Sequence, residues 1–175
     1  MYSIVTVCTG NICRSPMAEF ALRRAFAAAG LAERVRIDSA GVSDEELGNP
    51  VDPRAGDLLR REGLDASRHA ARVFDPVRFE DRDLVLALDV VHLQRLRALA
   101  PDAAAAAKVR LLREFDPDAA DLAHGDLGIY DPWYGGPEDF ETTYGMIAAA
   151  VPGVVRAVAR ELGAGLDSAQ DAGRA

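Results

Sequence analysis

Two short apolar runs, Ile4-Val5-Thr6-Val7 and Leu84 to Leu88, constrain the fold more than any other feature of the chain. A strand with one wet face alternates apolar and polar residues, whereas a run without that alternation belongs to a strand covered on both faces. A helical pattern follows each run. After the first, Ala18, Ala21, Leu22, Ala25 and Ala29 recur at spacings of three and four, and Gly30 supplies a stop. After the second, Val90 to about Leu99 reads as a helix. Val35-Arg36-Ile37 and Lys108 to Leu112 are further strand candidates, the latter reached through the alanine-rich connection Ala103 to Ala107. Pro53 to Arg61 reads as a helix closed by Gly63. This alternation predicts an α/β fold: one parallel sheet, helices on both faces, right-handed crossovers, and ligands at the carboxyl ends of the strands.

From Phe140 onward, Tyr144, Ile147, Val151, Val155, Val158 and Leu162 mark a last amphipathic helix, which Pro152-Gly153 is expected to kink or divide. A length of 175 residues suits one domain, expected over residues 1–163, with a disordered tail at 164–175. The stretch from Asp116 to Gly136 is the longest irregular one, and long loops in compact domains tend to be functional.

The formal charge of -8 leaves no Lys/Arg stripe to displace counterions, so nucleic acid and anionic membranes are not expected partners. A negative protein that binds phosphate esters must build positive potential locally, from backbone amides and a few arginines. The chain starts without a basic leader, and no apolar run is expected to reach membrane-spanning length, so a cytoplasmic location is expected. Two cysteines, Cys8 and Cys13, are too few for a disulfide framework or a cysteine zinc site.

The chemistry concentrates where the first strand hands over to the first helix, in Cys8-Thr9-Gly10-Asn11-Ile12-Cys13-Arg14-Ser15. Backbone amides and the positive end of a helix converge there, which favours an anion and a thiolate alike. Arg14 adds a full charge and a planar fork able to hold two phosphate oxygens. Taken alone, Cys8 is an ordinary buried strand-end cysteine. With five residues between it and Arg14, a serine next, and Gly10 and Asn11 inside the loop, it reads as a nucleophile at the base of a phosphate cradle. The loop lacks GxxxxGK[ST] and is not a nucleotide P-loop. Ser15 has two readings, a helix N-cap or a hydroxyl donor to the Cys8 sulfur. Asn11 reads as a loop-fixing residue that tolerates a left-handed backbone.

At these residues the chain resembles the low-molecular-weight protein tyrosine phosphatases, from about Ser3 to Leu162. The resemblance also rests on Asp38-Ser39-Ala40-Gly41, Asp52-Pro53-Arg54, Ala87-Leu88-Asp89 and Asp131-Pro132-Trp133-Tyr134, which fall in the family's order. It implies a flavodoxin-like fold around a four-stranded parallel sheet. It implies Cys8 as nucleophile, Arg14 as phosphate clamp and Asp131 as general acid and then base, with phosphate held by Thr9, Gly10, Asn11, Ile12, Cys13, Arg14 and Ser15. Ile12, Trp133 and Tyr134 would wall an aryl slot. Ser15, Ser39 and His69 would support the loop around Asn11, His69 through His69-Ala70-Ala71-Arg72 read as the family's HxAR.

Without the resemblance, Asp131-Pro132 is ordinary turn chemistry, and Asp89 is read as a cap for the helix at Val90. The implied partners are phosphotyrosine-bearing proteins, with inorganic phosphate as product, no metal or cofactor, and a monomer or weak dimer. Cys13 next to an accessible Cys8 thiolate points to a redox pair. One departure is Glu45, within Asp44-Glu45-Glu46, where many members carry an aromatic on the opposite rim; it should weaken acidic phosphopeptides.

Three other readings compete. Arsenate reductases of this fold need a relay of further cysteines, and none follows Cys13. Protein-arginine phosphatases carry threonine at the position of Ile12. A silent phosphate-binding module would keep the cradle without turnover.

Overall fold

The computed structural model describes residues 1–164; the expected tail, apart from Ala164, lies outside the described residues. Strand β1 (Tyr2–Cys8) opens the chain and helix α1 (Arg14–Ala28) follows after a five-residue loop. Then come β2 (Val35–Gly41), α2 (Pro53–Arg61), β3 (Leu84–Ala87) and α3 (Val90–Leu99). A single turn α4 (Ala103–Ala107), β4 (Val109–Leu111) and the long α5 (Pro137–Glu161) complete it. The four strands form one parallel sheet in the order β2-β1-β3-β4, as the α/β reading requires.

Each β1 residue alternates between two cores, which is why its sequence does not alternate in polarity. Ile4 and Cys8 face the layer of α1, α2 and α5, whose largest fully buried members include Phe26, Met17 and Leu22. Val5 and Val7 face the other layer with Leu93 and Leu96 of α3. Full burial of a side chain such as Leu22 contributes about 2 kcal/mol. Both strands beside β1 pair with it in parallel register, Ile4 against Ile37 and Leu84, and Cys8 against Gly41. The end of β1 is thereby central in the sheet, at the carboxyl edge.

Local chemistry sets the element boundaries. Gly30 and Gly63 take positive φ after α1 and α2, and Asp52 accepts the Arg54 N–H at the start of α2, with Pro53 at its first position. Two expectations are corrected. The alanine-rich connection is itself a helical turn, capped by Asp102. Helix α5 runs unbroken through Pro152, because packing on both sides outweighs the one backbone bond a proline forfeits. Gly153 shows how tight that packing is: a Cβ there would meet the Phe115 carbonyl oxygen at 1.9 Å.

The expectation that no apolar run reaches membrane-spanning length is also corrected. Helix α5 has 25 residues and a window of mean hydropathy 1.3, long and apolar enough by those criteria. Phe140, Ile147, Ala150, Val154 and Val158 nevertheless sit in the α1 layer, so the apolar character is that of a core helix.

Candidate active site

The loop between β1 and α1 is built by turning its carbonyls away from its centre. The Cys8 carbonyl accepts from Val42 N–H at 2.9 Å and that of Thr9 from Ser43 N–H at 3.0 Å. The Asn11 carbonyl meets His69 Nε2 at 2.7 Å, and those of Ile12 and Cys13 accept from Asp52 and Met17 N–H at 2.9 and 3.2 Å. In a planar trans peptide the N–H opposes the carbonyl, so the following amides point the other way. Among the described residues, no backbone N–H from Gly10 to Ser15 donates to a protein acceptor. The first turn of α1 also has no side-chain cap. Buried amides left this way are costly unless an acceptor meets them, and an anion at a helix N-terminus does so.

Asn11 keeps the loop in shape. Its φ of 61° is the one positive value at a non-glycine residue among those described. Its side-chain nitrogen donates to Ser15 Oγ and Ser39 Oγ, both at 2.9 Å, and its Oδ1 accepts the Arg72 N–H at 3.0 Å. The Ser39 hydroxyl in turn donates to Glu19 Oε2 at 2.5 Å. His69 joins the network through the Asn11 backbone rather than its side chain. Gly41, paired with Cys8, lets β2 approach: a Cβ there would meet the Thr9 carbonyl oxygen at 2.4 Å.

Ser15 lies inside α1 and caps nothing, which removes the N-cap reading. Its Oγ is 3.0 Å from Cys8 Sγ and 3.2 Å from the Ala40 carbonyl. With Asn11 donating to the same oxygen, the single hydroxyl proton has two acceptors to choose from, and an ionised sulfur is the stronger. Cys8 is 3% exposed, so the expectation of a freely accessible thiolate is corrected. Cys13 is also a free, buried thiol, and burial first, then the nearby Asp52 carboxylate, pushes its pKa far up, so it stays protonated.

Arg14, 3% exposed, reaches Asp131 Oδ2 at 2.5 Å, the Ile129 carbonyl at 3.2 Å and Asp89 Oδ2 at 3.5 Å. Asp89 does cap α3, accepting the Val91 N–H at 3.1 Å, and faces Arg14 as well. A cavity of about 280 Å³ opens over the loop, lined by Thr9, Gly10, Ile12, Cys13, Arg14 and Asp131 among others. Trp133 and Tyr134 also line it, the first 40% and the second 98% exposed. Glu45 and Glu46 line the opposite side. A larger groove of about 510 Å³ along α2 is lined by Arg60, Asp57, Asp65 and Ser67 among others but by no cysteine.

Sequence reasoning missed three neighbours. His92, in the first turn of α3, bonds Thr9 Oγ1 at 2.9 Å; burial, then the charge of Arg14, lowers its pKa to about 4, so it is neutral near pH 7. Glu46 packs its Cγ over Gly10, where a Cβ would lie at 2.8 Å. Arg54, quoted only within a motif, donates to the carbonyls of Gly135 and Trp133 at 2.6 and 3.2 Å. Only the rule that ligands meet the carboxyl edge of a parallel sheet could have pointed to His92, three residues past Asp89.

A thiol and a guanidinium share one amide cradle at a strand-to-helix turn, with the Asp131 carboxylate against the guanidinium, an arrangement able to hold an oxyanion beside the sulfur. The chain matches the family model of the low molecular weight phosphotyrosine protein phosphatases over residues 3–164. It is 47% identical to the low molecular weight protein-tyrosine-phosphatase of Streptomyces coelicolor over 161 residues, 92% of this chain and 96% of that one. It is 38% identical to the low molecular weight phosphotyrosine protein phosphatase of Homo sapiens over 143 residues, 81% and 86% of the two chains. The crystal structure of YfkJ from Bacillus subtilis superimposes with a TM-score of 0.83 at 32% identity, covering 92% and 96%. The chain therefore belongs to the low molecular weight phosphotyrosine protein phosphatase family, and the expected fold and family are both established.

Proposed function

We propose that the chain hydrolyses aryl phosphates, phosphotyrosine in proteins first among them, through a phosphocysteine on Cys8. The observation that carries this reading is the set of amides from Gly10 to Ser15 that have no protein acceptor, placed beside Cys8 and Arg14. Those amides and the Arg14 fork take the equatorial phosphate oxygens. Ser15 gives its hydrogen bond to the ionised Cys8 sulfur, which attacks phosphorus in line as the bond to the aryl oxygen breaks. Asp131, on the cavity wall, gives its proton to the departing oxygen. In the second half, the Asp131 carboxylate removes a proton from water, which displaces Cys8 and releases inorganic phosphate.

Trp133 and Ile12 on the cavity wall suit the flat ring of an aryl ester. Glu45 and Glu46, for which no salt bridge forms among the described residues, disfavour acidic flanks on the substrate. A nucleophile that works as a free thiol calls for a reducing compartment, which supports a cytosolic site of action and is checked by cell fractionation.

One assay tests the reading. The wild type releases phosphate from an aryl phosphate, and Cys8→Ser binds the same ester while turnover falls on the order of 10⁴-fold or more. A wild type that binds but does not turn over would leave the silent phosphate-binding module standing instead.

A further inference from the structure

The Asp52-Pro53-Arg54 segment is a family-like motif to which the reaction gives no part. Arg54, in the first turn of α2, uses four of its five N–H donors across an 81-residue gap and within its own turn. Its Nε donates to Asp52 Oδ1 at 3.0 Å and its Nη2 to Oδ2 at 2.9 Å. Its Nη1 donates to the Gly135 carbonyl at 2.6 Å, and Nη2 also meets the Trp133 carbonyl at 3.2 Å. The guanidinium lies over the ring of Phe140, 4.6 Å from its centre, and Phe140 itself is fully buried in the first turns of α5.

Both carbonyls belong to the turn that follows Asp131. That turn is also tied to itself: Asp131 Oδ1 accepts the Trp133 N–H at 3.2 Å, and the Gly135 N–H donates to the Pro132 carbonyl at 2.9 Å. Asp52 reaches in the opposite direction, its backbone N–H donating to the Ile12 carbonyl of the phosphate loop at 2.9 Å. Burial alone would raise the Asp52 carboxyl, but the hydrogen bonds from Arg54 outweigh it and hold the pKa below the usual carboxylate value. The pair is therefore a charged strap with one end on the nucleophile's loop and the other on the acid's.

We infer that Arg54, held by Asp52 over Phe140, is a positioning residue that sets Asp131 at proton-transfer distance from the leaving oxygen. The inference rests on the phosphatase reading above. Lysine in its place keeps the charge but has no planar fork, so it cannot hold the Asp52 carboxylate and two carbonyls together. A misplaced general acid matters most when the leaving group is a poor one and needs the proton.

The test compares two esters on one preparation, because the ratio of their rates does not depend on how much of a variant is folded. With Arg54→Lys, kcat/KM for phenyl phosphate falls roughly tenfold, while that for 2,4-dinitrophenyl phosphate, whose leaving group needs no proton, changes less than about twofold. In an Asp131→Asn background, Arg54→Lys adds little further loss with phenyl phosphate, since both changes act on one step. Equal losses on the two esters, or full additivity with Asp131→Asn, would overturn the positioning role and leave the phosphatase reading intact. A wild type that turns over neither ester would overturn both.

Discussion

The phosphate loop and the acid turn lie against one another through Arg14 and Asp131, yet they are made in different ways. From Cys8 to Ser15, Asn11, Arg14 and Ser15 are buried, and five of the carbonyls and the Asn11 side chain are tied to the surrounding scaffold. From Asp131 to Gly135, the side chains of Asp131, Trp133 and Tyr134 are exposed while Pro132 is buried, and the backbone is held by one arginine from another element. The difference fits the proposed chemistry. A phosphoryl group is the same in every substrate, so the surface that stabilises it gains from a stiff shape prepared in advance. The leaving group and its flanks vary, so the half that meets them sits on an open turn.

The strongest way to break that contrast is to loosen the stiff half without touching a reacting group. Gly41→Ala forces a Cβ toward the Thr9 carbonyl oxygen, and backbone must shift. Activity on aryl phosphates should fall on the order of 10²-fold or more, in kcat/KM, with good and poor leaving groups affected alike. That uniform loss is the opposite of the leaving-group-dependent loss expected for Arg54→Lys. A loss confined to poor leaving groups would show that Gly41 serves the acid turn instead.

Acid titration should separate the halves next. His92 is buried against Thr9, facing Arg14, Asp89 and Asp131, with a pKa lowered from 6.5 to about 4. The folded protein binds fewer protons than the unfolded chain between those values, so stability is complete above about 6.5 and declines as pH falls toward 4. The loss is at most roughly 3 kcal/mol. Denaturant titrations at pH 7 and 4.5 measure it, and His92→Asn should flatten this part of the slope. An unchanged slope in His92→Asn would assign the acid sensitivity to other groups.

The smallest effect belongs to the open rim. Glu45→Gln together with Glu46→Gln removes two charges from the cavity wall, and exposed charge interactions contribute about 0.5 kcal/mol each. Phosphopeptides with acidic flanks should gain a few-fold in kcat/KM relative to those with basic flanks. If the preference does not move, substrate choice is set by Trp133 and Tyr134 rather than by charge.

The legible parts of the molecule were those whose signal is contiguous. The strands around Ile4 and Leu84, the helices from Pro53 and Val90, and the strand-loop-helix carrying Cys8 and Arg14 all announce themselves within a few residues of sequence. Pro152 misled because its cost is local while the packing of α5 is not. Ser15 kept two readings because a serine at a helix start also looks like a cap, and only the placement of Cys8 and Asn11 around it decides for the contact to the Cys8 sulfur. Asp89 carried both a cap and a contact to Arg14, of which sequence exposes the first alone.

By itself, the sequence determined the α/β order and the strand-loop-helix that carries Cys8 and Arg14, because hydrophobic periodicity and the strand-to-helix turn act over neighbouring residues. Tertiary structure alone decided that His92 lies on Thr9, that Glu46 covers Gly10 and that Arg54 reaches the turn after Asp131. Those contacts join residues 36 to 83 positions apart, where no local propensity operates and only the close packing of the sheet and its helices brings the groups together.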